Sequence, residues 1–303
     1  MVSSSLLDPS YDLFQRLSLD ESLRRTVSVY CAGLVVFTQI ASLIVLLNAI
    51  IWTILLIVLL PIFKIDNGSD FSDPTYLIEH FGAYNALMLI RMVIGMMIAA
   101  VGNGAMIRAV ADVYLKRRPN LKDCLLVGFQ RGCTILIASF LGIIGVSVGG
   151  ILLLVPGIYL MVVWFGVNQA IVIEGYGVCS AFKRSMNLVS GSWCYVFCTV
   201  MIVFITTMIF QAVWGAVVVG GNDAGHTMFT IFGSIVASIP TIITAPIWGI
   251  LMTIMYMNLR IEKEGLNADL LARNLGESGR STGGGETYSP LVNDDSEEDL
   301  TSV

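Results

Sequence analysis

The sequence predicts an all-α fold, a polytopic membrane helical bundle of about six transmembrane helices with two cytosolic interfacial amphipathic helices. Three observations predict it. The 303 residues are 56% hydrophobic and only 13% charged, whereas a soluble domain carries roughly 25% charged residues. The apolar residues come in blocks that reach the about 20 residues needed for a helical span. The basic residues fall into alternate connections between these blocks, as they do in membrane proteins with cytosolic basic loops.

The apolar blocks divide the chain into three parts. We predict a cytosolic N-terminal segment over 1–28, a six-span membrane domain over 29–260 and an acidic, disordered cytosolic tail over 261–303. The first block has about 35 residues, too many for the apolar core of a cleaved signal peptide, and is therefore predicted to be retained. The six spans lie at about 29–63, 83–115, 134–153, 156–174, 192–219 and 227–259.

The third and fourth spans are predicted to form a tight hairpin around Pro156-Gly157. A Pro-Gly pair at bilayer depth breaks a helix, and a short hairpin accommodates the break. The segment 134–174 either crosses twice or forms a re-entrant pair. The sequence leaves both open, and two crossings fit the charges better. Small residues at helical spacing favour close helix packing, as at Ala100 with Gly104 and Gly145 with Gly149.

Basic clusters set the predicted orientation. They precede the first span and follow the second, fourth and sixth, and they share one side only if the number of crossings is even. Six crossings with both termini in the cytosol satisfy every cluster. In a eukaryotic endomembrane or plasma membrane, the sequon at Asn67 would then lie in the first outer loop as a glycosylation candidate, with chance occurrence the alternative. The clusters comprise Arg16, Arg24, Arg25, Lys116, Arg117, Arg118, Lys122, Arg131, Lys183, Arg184, Arg260 and Lys263.

Two connectors on the predicted cytosolic side, 119–132 and 175–191, mix apolar and basic residues at near-helical spacing. This pattern suits amphipathic helices that lie in the membrane interface, with basic side chains toward anionic headgroups. The interfacial basic residues predicted in and beside them are Lys116, Arg117, Arg118, Lys183 and Arg184.

Charged residues inside predicted spans are costly and often functional. Arg108 and Asp112 are four residues apart on one helix, which lets them pair; Arg91 lies nearer the outer end, and Glu174 closes the fourth span. Two interpretations compete. In one, these side chains extend toward the membrane surface or form hydrogen bonds between helices. In the other, Arg91, Arg108, Asp112 and Glu174 line a polar path or a lipid-headgroup pocket.

The sequence carries no pattern that favours catalysis, so we predict no catalytic residue, no metal site and no cofactor. The two histidines, His80 and His226, lack HExxH spacing, and no Ser/His/Asp arrangement or phosphate-binding loop is present. The six cysteines form no CxxC pair and are predicted to be small buried hydrophobes, with S-acylation of Cys124, Cys133 and Cys179 near the cytosolic face as the alternative. An enzyme is disfavoured, and the form of it that the sequence leaves open is an intramembrane enzyme with scattered ligands.

One stretch carries a family resemblance. Val155-Pro156-Gly157-Ile158-Tyr159, Trp164, Ile173-Glu174-Gly175 and Ala181-Phe182-Lys183-Arg184-Ser185 resemble the membrane domain found beside bacterial glycerophosphodiester phosphodiesterases and in related uncharacterised multi-pass proteins. The resemblance implies a helical membrane domain with an interfacial helix after the Glu-Gly pair. It does not imply phosphodiesterase activity, because the chemistry of those enzymes belongs to a separate soluble barrel, and the longest non-membrane stretch here is the 43-residue tail.

The acidic tail contains short motifs typical of trafficked membrane proteins. Tyr288 and Leu291, three residues apart, match a tyrosine-based adaptor signal that docks as an extended peptide. Ser296 precedes three acids and resembles an acidophilic kinase site. The terminal Thr301-Ser302-Val303 resembles a PDZ ligand. Such short matches also arise by chance.

We therefore predict a non-enzymatic multi-pass membrane protein that acts in membrane organisation, trafficking or partner binding in the endomembrane system. The alternative is a transporter or lipid carrier using Arg91, Arg108 and Asp112. The predicted partners are membrane lipids and an adaptor or other membrane protein bound through the tail, with no nucleic acid. The sequence gives no substrate, organelle or oligomeric state.

Overall fold

The computed structural model describes residues 18–62, 74–220 and 227–280. These residues form ten helices and no strand, which confirms the predicted all-α class. The helices are α1 (Leu19–Ala32), α2 (Leu34–Ile62), α3 (Pro74–Tyr114), α4 (Leu121–Leu152), α5 (Leu154–Val163), α6 (Val167–Ile173), α7 (Val178–Val189), α8 (Trp193–Gly220), α9 (Thr227–Glu264) and α10 (Ala268–Arg280).

Six segments of these helices are long and apolar enough to cross a membrane, judged by length and composition. The first begins at Leu34, so the start of the first predicted span, residues 29–33, lies in and just after the amphipathic helix α1 instead. The six segments are Leu34–Leu55, Asn85–Tyr114, Leu121–Leu152, Val155–Ile173, Trp193–Gly215 and Thr241–Glu264.

Helices α3 and α4 form an antiparallel hairpin joined by a six-residue turn, 115–120. Their backbones approach closely where Gly104 meets Gly128, because neither residue has a side chain to hold the helices apart. The first connector, predicted as a separate interfacial helix over 119–132, is helical from Leu121 but continuous with α4. Its glycines do not break the helix, because Gly128 and Gly132 are buried at the contact with α3.

The return arm of the predicted hairpin consists of two short helices. Gly149 of α4 lies against Gly157 of α5, so the Pro-Gly pair sits at a close backbone contact just after the turn at Leu153. The arm is interrupted again at 164–166, between α5 and α6. Both arms of the hairpin are among the six apolar segments.

One end of the bundle gathers the start of α1, the α3–α4 turn, α7, the start of α8, the end of α9 and α10. Three contacts between distant parts of the chain define this end: Ser22 with Tyr195 at 2.7 Å, Arg184 with Glu264 at 2.6 Å, and Arg108 with the Leu275 carbonyl at 3.4 Å. We call it the basic end, because it carries Arg24, Arg25, Lys116, Arg117, Arg118, Lys122, Lys183, Arg184, Arg260 and Lys263.

The first part of the predicted disordered tail is helical. Helix α9 continues to Glu264, and α10 follows after Gly265. Leu266, Leu271 and Leu275 are buried against the bundle, so this part of the tail has an apolar face that its overall acidic composition conceals. The structural description does not extend to 1–17 or 281–303, and it leaves out Asn67, His226 and the side chain of His80. The candidate sites at Asn67, Tyr288, Leu291 and Ser296 therefore lie outside the described residues.

Candidate functional site

Four charged side chains form a closed ion cluster at the basic end: Glu174, Arg184, Arg260 and Glu264. Arg184 Nε donates to Glu174 Oε2 at 3.0 Å, and its Nη2 donates to Glu264 Oε2 at 2.6 Å. Arg260 Nε lies 3.1 Å from Glu264 Oε2 and 3.5 Å from Glu174 Oε1. Each carboxylate therefore contacts both guanidinium groups, and the cluster carries no net charge.

The cluster is buried on its inner side. The side chains of Arg260 and Glu174 are only 4% and 8% exposed. Tyr256, fully buried, donates its hydroxyl hydrogen to Glu174 Oε1. The Asn274 carboxamide, with its oxygen toward Arg260, accepts from both terminal guanidinium nitrogens at 3.2 Å. Because a buried charge is strongly destabilising unless it is paired, this degree of partnering is what allows the four charges to lie here.

The groups of this site that lie outside the apolar segments hold one protonation state. Burial acts to lower the pKa of Arg184, but its hydrogen bonds to Glu264 and the nearby charge of Glu174 outweigh burial, and the pKa lies above its ordinary value. Burial, and then the charge of Glu174, raises the pKa of the Tyr176 phenol. At neutral pH, Arg184 is thus charged and Tyr176 neutral, and the arrangement is suited to structural pairing more than to proton exchange.

The sequence positions Glu174 by ending α6 beside it. Gly175 follows with φ of 74°, a left-handed conformation that other residues adopt only with strain. The chain therefore turns sharply, and α7 returns Arg184 to the Glu174 carboxylate. Sequence reasoning found Glu174 and Arg184 but predicted that Arg184 faces lipid headgroups. In the structure Arg184 instead pairs with Glu174 and Glu264, while Lys183 is exposed.

Sequence reasoning missed Tyr256, Arg260 and Glu264 as site residues. They are spaced by four residues, so they lie on one face of α9. That spacing could have indicated that the three side chains belong to one site. The predicted end of the sixth span at 259 separated Arg260 and Glu264 from Tyr256.

Helix α7 confirms that the second connector contains an amphipathic helix, and its apolar face packs against the bundle. Ala181, Ser185, Leu188 and Val189 are buried. Phe182 meets Trp164 edge to face at 4.9 Å between ring centroids. Residues of the motif that carried the family resemblance thus meet in space, and α7 is fixed on both its polar and its apolar side.

Ser185 bridges the interruption between α5 and α6. It is fully buried, donates to the Val163 carbonyl at 2.7 Å and accepts from the Gly166 amide at 3.1 Å. We expect Ser185→Ala to lower the free energy of unfolding by about 1–3 kcal/mol, because two backbone groups lose their buried partner. Denaturation of the purified protein in detergent measures the change.

The matched control for Ser185 is Ser180→Ala on the same helix. Ser180 is exposed and bonds only to the Gly177 carbonyl at the start of α7. Equal losses of stability from the two substitutions would contradict the bridging role of Ser185.

A second ion pair, predicted from its spacing, joins Arg108 to Asp112 at 3.3 Å. Asp112 is buried, and Arg108 also donates to the Leu275 carbonyl, which links α3 to α10. Arg91 lies elsewhere: it is exposed, with its guanidinium 4.3 Å from the centroid of the Trp52 ring. Arg91 and Arg108 are separated by about 25 Å along α3 at 1.5 Å per residue, so they do not share a site.

A family model described as a domain of unknown function (DUF7847) matches residues 70–258, which is more than half of the chain. The chain belongs to this family. The DUF7847 match spans α3 to α8 and most of α9, and it includes Glu174, Arg184 and Tyr256, while Arg260 and Glu264 lie just beyond it. No curated protein and no solved structure matches the chain. The family description carries no link to glycerophosphodiester phosphodiesterases.

Proposed function

We propose that this DUF7847 protein crosses the membrane six times with both termini in the cytosol, and that it acts in membrane organisation, trafficking or partner binding without catalysis. Its compartment in this proposal is a eukaryotic endomembrane or the plasma membrane. The proposal starts from the six helical segments among the described residues, which are compatible with a multi-pass membrane protein.

The observation that carries the proposal is the ion cluster. Its charges pair with one another and hold α7 and α10 on the bundle. A charge set that is used for internal pairing builds a fixed surface, whereas a transport path or catalytic centre needs charges that meet a ligand. The basic end thus supplies a rigid platform on which partners or lipids can bind.

The positive-inside rule supports a cytosolic position for this platform. Exposed cations, among them Arg117, Arg118, Lys122 and Lys183, surround it and suit an anionic cytosolic leaflet. The sequence motif at Tyr288 follows the end of α10 by eight residues. In this proposal the platform displays the tail motifs to adaptors at the membrane surface.

The alternative, a transporter or lipid carrier, has less support. It requires Arg91, Arg108 and Asp112 to contribute to one path, yet Arg108 and Asp112 pair at the basic end and Arg91 packs on Trp52 near the other. The resemblance to the membrane domain beside bacterial phosphodiesterases is compatible with either role, and it likewise carries no catalysis.

Steady-state location tests the trafficking part of the proposal. In cells that lack the native protein, Tyr288→Ala is expected to shift the tagged protein from its normal compartment, because the adaptor loses the ring that fills its pocket. Thr287→Ala, one residue away, is the control and should leave the location unchanged. If Tyr288→Ala and wild type occupy the same compartment, trafficking through this motif is wrong.

Lipidomics of the same deletion cells separates the platform from a carrier. We expect Arg91→Ala and Arg108→Ala proteins, once shown to be folded and correctly located, to restore the same lipid profile as wild type. A lipid imbalance that wild type corrects and both arginine variants fail to correct would instead establish the carrier.

A further inference from the structure

A cavity of about 390 Å³ opens at the basic end, between the start of α8 and the end of α9. It is separate from the ion cluster, which has no residue on α8 and whose Arg260 and Glu264 lie on the other face of α9 from Asn258 and Glu262. Its volume falls in the range typical of small-molecule sites, about 300–1,000 Å³. The lining residues are Gly191, Ser192, Trp193, Cys194, Tyr195, Asn258 and Glu262.

A chain of hydrogen bonds fixes one wall of the cavity. Asn258 Nδ2 donates to Tyr195 Oη at 3.1 Å, Tyr195 Oη lies 2.7 Å from Ser22 Oγ, and Ser22 Oγ donates to the Ser18 carbonyl at 2.9 Å. Because the Ser22 hydrogen is used for Ser18, the shared hydrogen between Tyr195 and Ser22 comes from Tyr195. The Tyr195 oxygen therefore accepts one hydrogen bond, from Asn258, and keeps one acceptor position toward a further ligand.

The charge of the lining is acidic, although the surrounding end of the bundle is basic. Glu262 is the one charged lining residue, and it is exposed. The neighbouring Lys263 donates to the Ser190 carbonyl. A carboxylate beside a phenolic acceptor suits a ligand cation that donates hydrogen bonds.

The aromatic lining distinguishes between kinds of cation. The Trp193 ring stacks on Phe197 at 5.0 Å and on Tyr159 at 6.5 Å between centroids. A quaternary ammonium group is usually held by free aromatic faces, whereas a primary ammonium group donates three hydrogen bonds. Acceptors in the wall and a Trp193 ring already engaged in stacking both favour the primary ammonium.

The position of the cavity indicates where the ligand comes from. Trp193 and Tyr195 lie at the first turn of an apolar segment, the depth at which aromatic residues meet lipid headgroups. The first i→i−4 hydrogen bond of α8 joins the Val196 amide to the Ser192 carbonyl, so the amides of Trp193, Cys194 and Tyr195, three residues that line the cavity, have no partner inside the helix. Those donors complement a phosphate in a ligand whose ammonium is held at Glu262.

We propose that this cavity binds the headgroup of an aminophospholipid, with its primary ammonium between Glu262 and Tyr195 and its phosphate toward the start of α8. This lipid site goes beyond the proposed platform function and stands whether or not that function holds. Ethanolamine and serine headgroups share the ammonium chemistry, and a soluble glycerophosphate ester of ethanolamine would present it without acyl chains.

Cys194 gives a direct measure of occupancy, because it is exposed and lines the cavity. The full-length protein with Cys194 as its single cysteine is placed in nanodiscs of phosphatidylcholine, with or without phosphatidylethanolamine, phosphatidylserine or phosphatidylglycerol. A water-soluble maleimide then reports the alkylation rate. The control protein keeps only Cys179, which is exposed on α7 and outside the lining.

We expect phosphatidylethanolamine to slow alkylation of Cys194 about tenfold at saturation, the change that corresponds to 1.4 kcal/mol, and to leave Cys179 unaffected. If phosphatidylethanolamine and phosphatidylserine both slow alkylation of Cys194, the cavity recognises the ammonium group that they share. If only one of them does, the cavity recognises that headgroup. Equal rates with phosphatidylcholine and phosphatidylethanolamine would overturn the proposal, as would protection by phosphatidylglycerol alone.

Glu262→Gln tests the carboxylate with little change of shape. We expect Glu262→Gln to lose the protection and Asp269→Asn, at an exposed residue of α10, to keep it. Protection that persists in Glu262→Gln overturns the ammonium assignment. If Glu262→Gln does not fold, glycerophosphoethanolamine and glycerophosphocholine are compared on the single-Cys194 protein instead. Protection by the ethanolamine ester only supports the site, and equal protection or none overturns it.

Discussion

Replacing Glu174 by alanine is expected to lower the free energy of unfolding by about 3–5 kcal/mol, the cost typical of breaking a buried ion pair. The carboxylate faces two guanidinium groups and the Tyr256 hydroxyl. Without it, Arg260, whose side chain is 4% exposed, keeps Glu264 but loses its inner partner. Denaturation with increasing SDS in mixed micelles, followed by tryptophan fluorescence, measures the loss.

The control for Glu174 is an exposed ion pair of the same chain. Asp20 and Arg24 lie 2.9 Å apart on α1, with side chains 74% and 79% exposed. We expect Asp20→Ala to change stability by at most about 1 kcal/mol, since water already solvates both charges. A Glu174→Ala loss no larger than that of Asp20→Ala would show that the cluster is not an energetic centre of the fold.

How much of the site could be predicted from the sequence depends on how far apart the paired residues lie along the chain. The Arg108–Asp112 pair follows from local spacing, because both residues lie on one helix. The contact of Arg184 with Glu264 joins residues 80 positions apart. Basic residues at span ends ordinarily indicate cytosolic charge, and a single sequence does not say which of them bends inward to a carboxylate.

The helices were more predictable than the cluster, because the length of each apolar block along the sequence predicts a helical span. The prediction was less accurate in segments whose average composition differs from that of their individual parts. The acidic residues after 280 dominate the predicted tail, and they conceal the three leucines that dock α10 and the preceding turn. Similarly, the connector at 119–132 contains basic residues that favour an interfacial helix, yet nothing in it interrupts α4.

Small residues at four-residue spacing predicted close packing without naming the partner. Of the Ala100–Gly104 pair, Gly104 meets α4 at Gly128, where a Cβ would lie 2.3 Å from the Val101 carbonyl oxygen and 2.9 Å from the Ala105 nitrogen. Both are backbone atoms, so no rotation of a side chain relieves the clash. The two helices must separate to admit even one methyl group, and packing along the whole hairpin loosens with them.

We therefore expect Gly128→Ala to lower the free energy of unfolding by about 2–3 kcal/mol, within the range for overpacked cores, even though alanine itself favours a helix over glycine by about 1 kcal/mol. Gly150→Ala on the same helix is the matched control, because a Cβ there meets nothing within 4 Å. It should leave stability unchanged or raise it. SDS denaturation of the two variants side by side measures the contrast, and similar midpoints would mean that α3 and α4 are not packed through their glycines.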